Sequence, residues 1–552
     1  MAIVPDTTMI MPRWTVPSFR RTPGRYPLGT EAVALGQMAT ELASGLPVLS
    51  RHPRYWSLYT YIIKRFWDSK RSPQNNAALG RFLKSREIVF ALAALRCTRH
   101  GDVPLTGVVG RNSLTPWLTG GREDALPLDL PYLEQHLGGY GQIYRGALID
   151  LGLILPDTDN PRARLDAPFG DLGAAVAERF AAAIAGTEYA RKYAERDEGT
   201  IPLQVIDELS EASCFCRLVD HTSERDLLTD VLLGRVQAPH PAHRQRAATV
   251  RMILHLARET EGMGLDEARY RHLLYFGTDG GQPWPRLAAV EEIRRRWWLI
   301  QAREFVVGGL NGFFTDFVRW GVANGGLIRS IGIDAYAARV DGLTMPSLGE
   351  LPAGMAGEVA YDDVVAALDA AAVRDGWPPA PGMLAPLSET ALADAAGAGL
   401  APAAPIYAAL TLLLACRRIA LGRAQEPLPA AEEGMVRDGG VERLSTQELI
   451  DAVERPLGGG HTFAAVIVDL VRRMVVRQHL RVARGKLPEE TFRFHEVGGG
   501  LRFVEQGDAG LRPISIRFDA IDAALHGLGL LAGPLWQPDH APTARGQEIL
   551  DG

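Results

Sequence analysis

Two aromatic-rich stretches constrain this chain more than any other feature. RHPRYWSLYTYIIKRFW, residues 51–67, holds six aromatics and five basic side chains (counting His52). RRRWWLIQAREFVVGGLNGFFTDFVRW, residues 294–320, repeats the theme. In the first, Tyr55, Tyr59, Ile62 or Ile63, and Phe66 recur every three or four residues, with Trp56 and Trp67 beside them. That period lines one face of an α-helix. In the second, Trp297, Ile300 or Gln301, Glu304 or Phe305, Phe313, Phe317 and Trp320 fall on a similar stripe. Aromatic rows in basic grooves do stack nucleic-acid bases, but those platforms sit on sheets and loops. Rings at helical spacing belong in a core. The expectation is two buried helices packed into one helical body, with Arg54, Lys64 and Arg65 at the margin of the first. Gly308, Gly309 and Gly312 in the second would permit a close helix crossing or a bend.

A chain of 552 residues is too long for one compact core. Residues 1–30, with scattered Pro, Arg and Thr, suggest an extended arm. Helical periodicity marks an N-terminal domain over 31–155 and a central domain over 156–340. Residues 341–404 are rich in Pro, Gly and Ala and suggest a linker, with one short helix at Tyr361–Asp375. The final region, 405–552, opens with an apolar helix at Ile406–Gly422. Ser445-x-x-Glu448 then forms a capping box, and a longer helix follows from Thr462 to about Arg484. TFRFHEV, GGG and LRFVEQ suggest a β-hairpin, with a last helix at Phe518–Leu531. The fold class expected is mainly α: a multi-domain helical protein with a C-terminal winged-helix-like α+β module.

Net charge is −6, so no basic field covers the whole chain, and nucleic-acid contact would need a local patch. One exists on the long C-terminal helix. Arg473, Arg477, Arg481 and Arg484 form a stripe at α-helical spacing, flanked by Arg472 and Lys486, and no acidic residue occurs from Val471 through Pro488. In a winged helix such an element enters the major groove while wing residues reach phosphate. Arg493 and Arg502 are the expected wing contacts, on the outward face of the hairpin. The competing expectation is a solvated helix face, or a surface for an acidic protein.

Catalytic signatures are scarce. The sequence lacks the phosphate-binding loop, the dinucleotide-binding glycine pattern, the nucleophile elbow and the zinc-protease helix motif. His495-Glu496 falls on the hairpin. Of 59 basic residues only Lys64, Lys70, Lys84, Lys192 and Lys486 are lysine, which restricts lysine-dependent chemistry. Asp157, Asp159 and Asp166 lack the neighbouring lysine of many nucleases; GGYGQIYRG at 138–146 resembles the start of a GIY-YIG nuclease, but its flanks look helical and no matching Arg/Glu arrangement follows. Cys214-x-Cys216, with His221, His240 and His243 downstream, invites a zinc assignment. The one-residue gap and the sequence distance to Cys97 and Cys416 argue instead for small apolar cysteines in a helix. No metal or cofactor is expected.

PLG…GLPVLSRHPRYWSLYTY, GGYGQIYRGALIDLGLI and WWLIQAREF, between residues 27 and 320, resemble large, poorly characterised helical proteins of bacterial anti-phage defence operons. The resemblance implies a context and partner subunits, and carries no catalytic residues. The function expected is a non-enzymatic scaffold or adaptor subunit of a bacterial multi-protein complex, touching DNA or partner proteins through its C-terminal module. The alternatives are a nuclease-type effector with a dispersed active site, or a DNA-binding regulator. Met1–Pro12 shows no leader pattern. Apolar runs such as LTLLLAC (410–416) fall short of the roughly 18–20 residues of a membrane span, so the expected location is the cytoplasm.

Overall fold

A computed structural model of the chain describes residues 26–69, 73–100, 105–119, 124–159, 165–238, 240–279, 282–285, 287–324, 331–375, 387–397, 403–440, 443–487, 491–504 and 513–551. Most of the expected N-terminal arm, residues 1–25, lies outside these. Among the described residues 22 α-helices carry the fold, and the strands form only two-stranded antiparallel ladders. The protein is mainly α, as the periodicity indicates.

The chain forms two compact units, each assembled from three stretches. One comprises residues 37–270, 285–294 and 515–552; the other comprises 1–36, 271–284 and 295–514. Residues 405–514 and 515–552, taken together above as one C-terminal module, fall in different units.

In the 37–270 unit the first aromatic stretch forms the helix Arg54–Asp68, which starts at Pro53 and is buried on nearly every side. It packs against Asn76–Leu95 and Gly170–Ile184. Tyr61 meets Phe180 at 5.2 Å between ring centres, while Tyr55 meets Tyr144 at 4.6 Å and Tyr59 meets Tyr140 at 5.6 Å. Arg54 does not lie at a solvated margin as expected. It is fully buried, with Nη2 3.0 Å from Glu224 Oε2 and Nη1 donating to Cys214 O at 2.7 Å. A buried guanidinium is tolerable only with its charge matched and its N–H groups bonded, and Glu224 with the Cys214 carbonyl meets both needs.

In the 295–514 unit the second stretch lies on the 34-residue helix Glu291–Asn324. Two of the three glycines in the 294–320 stretch make the close crossing. A Cβ on Gly309 would stand 2.7 Å from Ala408 O, and one on Gly312 would stand 2.8 Å from Ala408 Cβ. Gly308 meets nothing within 4 Å. The partner helix, Ala404–Gln425, is the one described helix long and apolar enough to cross a membrane by length and composition, with a mean hydropathy of 1.5. That corrects the expectation taken from LTLLLAC alone, because flanking Ala and Ile extend the apolar window. The window is 78% buried in the fold, where the helix packs against Tyr361–Asp375, Glu389–Gly397 and Thr446–Glu454. Arg417, on its polar side, bridges Asp369 at 2.7 Å and Glu454 at 2.9 Å.

The Ser445 capping box forms as expected: Ser445 N donates to Glu448 Oε2 at 2.7 Å, and Glu448 N donates to Ser445 Oγ at 3.1 Å. The hairpin also forms, pairing Phe494–Val497 with Gly500–Phe503. Gly498 and Gly499 both take positive φ, 57° and 79°, the geometry of a tight turn matched to strand twist. Phe494 and Phe503 point into the core against Phe317, at 5.5 and 5.3 Å.

Candidate functional site

The arginine helix is helical throughout but not α throughout. Phe463–Leu470 and Gln478–Gly485 are α-helical, and Val471–Arg477 between them is a π-helix. This changes which arginines share a face. In an α-helix five residues overshoot the turn of about 3.6 residues, whereas i→i+5 bonding brings residues five apart into line. Arg472 therefore joins Arg477, Arg481 and Arg484 in the exposed set. Arg473, expected in that row, is part-buried and paired with Asp469. Lys486 donates to Tyr26 O at 3.0 Å.

Neighbouring acids reach the ends of the row. Arg472 lies 3.9 Å from Asp334, and Arg484 lies 3.9 Å from Glu496 on the hairpin. A cleft of about 390 Å³ separates the π-turn from the hairpin tip, lined by Ile333, Arg472, Val476, Val497, Gly498 and Leu501.

Arg493, expected on the outward face of the hairpin, is instead buried, with Nη1 donating to Thr491 O at 2.9 Å. It precedes the paired strand, and its backbone N–H donates to His479 Nε2 at 2.9 Å. His479 is itself buried, its Nδ1 3.1 Å from Pro27 O, and burial pulls its pKa down to about 4. The neutral ring thus links the arginine helix to the start of the hairpin. Arg502 is half-buried opposite His495.

A second constellation lies in the 37–270 unit. Cys97, His100, Cys214 and Cys216 present four donor atoms within 4.8 Å of one another. Cys97 follows the C-terminus of the helix Asn76–Leu95, and His100 closes the 3₁₀ turn Thr98–His100. Cys214 terminates the helix Leu203–Ser213, and Cys216 lies in the next 3₁₀ turn. Cys97 Sγ is 3.8 Å from Cys216 Sγ, Cys216 Sγ is 3.3 Å from Cys214 Sγ, and His100 Nε2 is 3.4 Å from Cys214 Sγ. Cys97 and Cys214 are buried; Cys216 and His100 are half-buried. The hydrogen bond between Cys216 and Cys214 pulls the Cys216 thiol below the usual cysteine range, with His100 and Arg99 acting the same way. That bond and burial push Cys214 up, and burial pushes Cys97 up.

The cysteines are therefore not the scattered apolar residues expected from spacing. Helices Asn76–Leu95 and Leu203–Ser213 pack together, and their C-terminal ends place Cys97 beside Cys214 and Cys216. His100 is not among the histidines that the Cys214-x-Cys216 spacing points to; the pattern that does include it is Cys97-x-x-His100, a second short-spaced pair.

Two of the three carboxylates, Asp157 and Asp166, are held together by Arg145. Asp166 accepts from Tyr140 Oη at 2.7 Å and from Arg145 Nε at 2.7 Å, and Asp157 accepts from Arg145 Nη2 at 2.8 Å. The GGYGQIYRG segment is helical over Tyr140–Asp150. No family model, curated protein or solved structure matches the chain.

Proposed function

We propose that the chain is a non-enzymatic scaffold subunit of a bacterial cytoplasmic assembly, of the defence type implied by its resemblance, and that it contacts duplex DNA through the arginine helix. The single observation carrying this reading is the row Arg472, Arg477, Arg481 and Arg484, brought onto one exposed face by the π-turn. The chemistry favours phosphate, because guanidinium groups bind phosphate oxygens through two parallel N–H bonds. The size is suitable too: a row of roughly 15–18 Å on a helix about 10–12 Å wide fits a major groove of about 12 Å. In this proposal Thr446–Glu454, the arginine helix and the hairpin act as a winged-helix-like group, with Arg502 on the wing. Arg493 holds the wing's base and makes no phosphate contact.

The double variant Arg477→Glu/Arg481→Glu tests the reading by fluorescence anisotropy on a labelled duplex at low salt. At least tenfold weaker binding is expected, with an unchanged melting temperature. Equal binding by variant and wild type, or no binding by wild type, would overturn it.

A further inference from the structure

We propose that Cys97, His100, Cys214 and Cys216 bind one zinc ion as a closed structural site. A tetrahedral site with Zn–S bonds of about 2.3 Å and a Zn–N bond of about 2.0–2.1 Å has ligand–ligand edges of roughly 3.5–3.8 Å. Three of the six edges here, 3.3, 3.4 and 3.8 Å, already fall close to that tetrahedron, and all six lie within 4.8 Å. The sulfurs stand well beyond the about 2.05 Å of a disulfide bond. Three thiolates and one imidazole form a donor set that zinc takes in structural sites, leaving no position for a reacting water.

The surroundings suit a fixed charge. Three thiolates with Zn²⁺ and a neutral imidazole carry one net negative charge, and each thiol gives its proton to solvent on binding. Arg99 and Arg217 flank the cluster, Arg99 paired with Asp220 at 2.7 Å and Arg217 with Glu211. The backbone is anchored as well: Arg54 Nη1 fixes the Cys214 carbonyl at 2.7 Å, and His52 stacks on Phe215 at 5.0 Å between ring centres. The ion would tie the ends of two packed helices to the aromatic helix, joining positions 119 residues apart in sequence.

Metal analysis of the gel-filtered full chain, expressed with zinc, should find one zinc per chain. Cobalt(II) substitution should give intense tetrahedral ligand-field bands and thiolate-to-cobalt charge transfer. Cys97→Ser and Cys216→Ser should each lose at least nine-tenths of the metal, while His243→Ala should keep it. His100→Cys should retain the ion and strengthen the charge-transfer band, which keeps the test valid if the serine variants misfold. Absence of zinc from wild type together with a weak octahedral cobalt spectrum would overturn the site. So would full metal retention in the serine variants, or recovery of the cysteines as a disulfide in freshly purified protein.

Discussion

His479 holds its place as a neutral ring, and that makes it a reporter for the joint between the arginine helix and the hairpin. Its pKa in the fold is about 4, below the usual 6.5, because burial disfavours the charged form. The unfolded chain therefore takes up this proton first on acidification. The stability tied to the neutral ring is present above about pH 6.5 and is lost as pH falls through about 4. His479→Gln has no proton to gain, so its denaturation midpoint should decline less than that of wild type over this window. Parallel decline in the two proteins would remove His479 from the account. Single residues also show where spacing stops being informative. Tyr55, Tyr59 and Phe66 were legible as core because their period is helical. Arg54 was not, because its burial depends on Glu224, 170 residues away.

At the scale of elements, the crossing between Glu291–Asn324 and Ala404–Gln425 separates two adjacent glycines. Gly309 faces the Ala408 carbonyl, whereas Gly308 is exposed. Gly309→Leu should cost about 1–3 kcal/mol by overpacking, and Gly308→Ala should stabilise by up to about 1 kcal/mol through helix propensity. Chemical denaturation measures both, and equal effects would contradict the crossing. The helices, the capping box and the hairpin were readable because each is written in a local pattern of caps, period or turn residues. The π-turn was not. It changes the bonding step within a continuous helix, and it moved Arg473 out of the exposed row and Arg472 into it. The cluster of Cys97, His100, Cys214 and Cys216 was equally hidden, since its two short pairs meet only through the packing of Asn76–Leu95 on Leu203–Ser213.

The whole molecule is built from discontinuous units, and this limits what can be cut away. The hairpin Phe494–Phe503 packs on Phe314 and Phe317 of the helix Glu291–Asn324, while residues 515–552 belong to the other unit. An isolated 405–552 fragment should therefore lack a cooperative thermal transition by circular dichroism; a sharp transition would show that the segment folds alone. The central claim, phosphate contact by the arginine row, is tested most directly by the salt dependence of duplex binding in the intact chain. Each phosphate neutralised contributes about −0.9 to the slope of log K against log salt. Four arginines predict a slope of roughly −3 to −4 for wild type, and Arg477→Ala/Arg481→Ala should make it shallower by about 2. A wild-type slope near zero, or an unchanged slope in the double variant, would contradict the account.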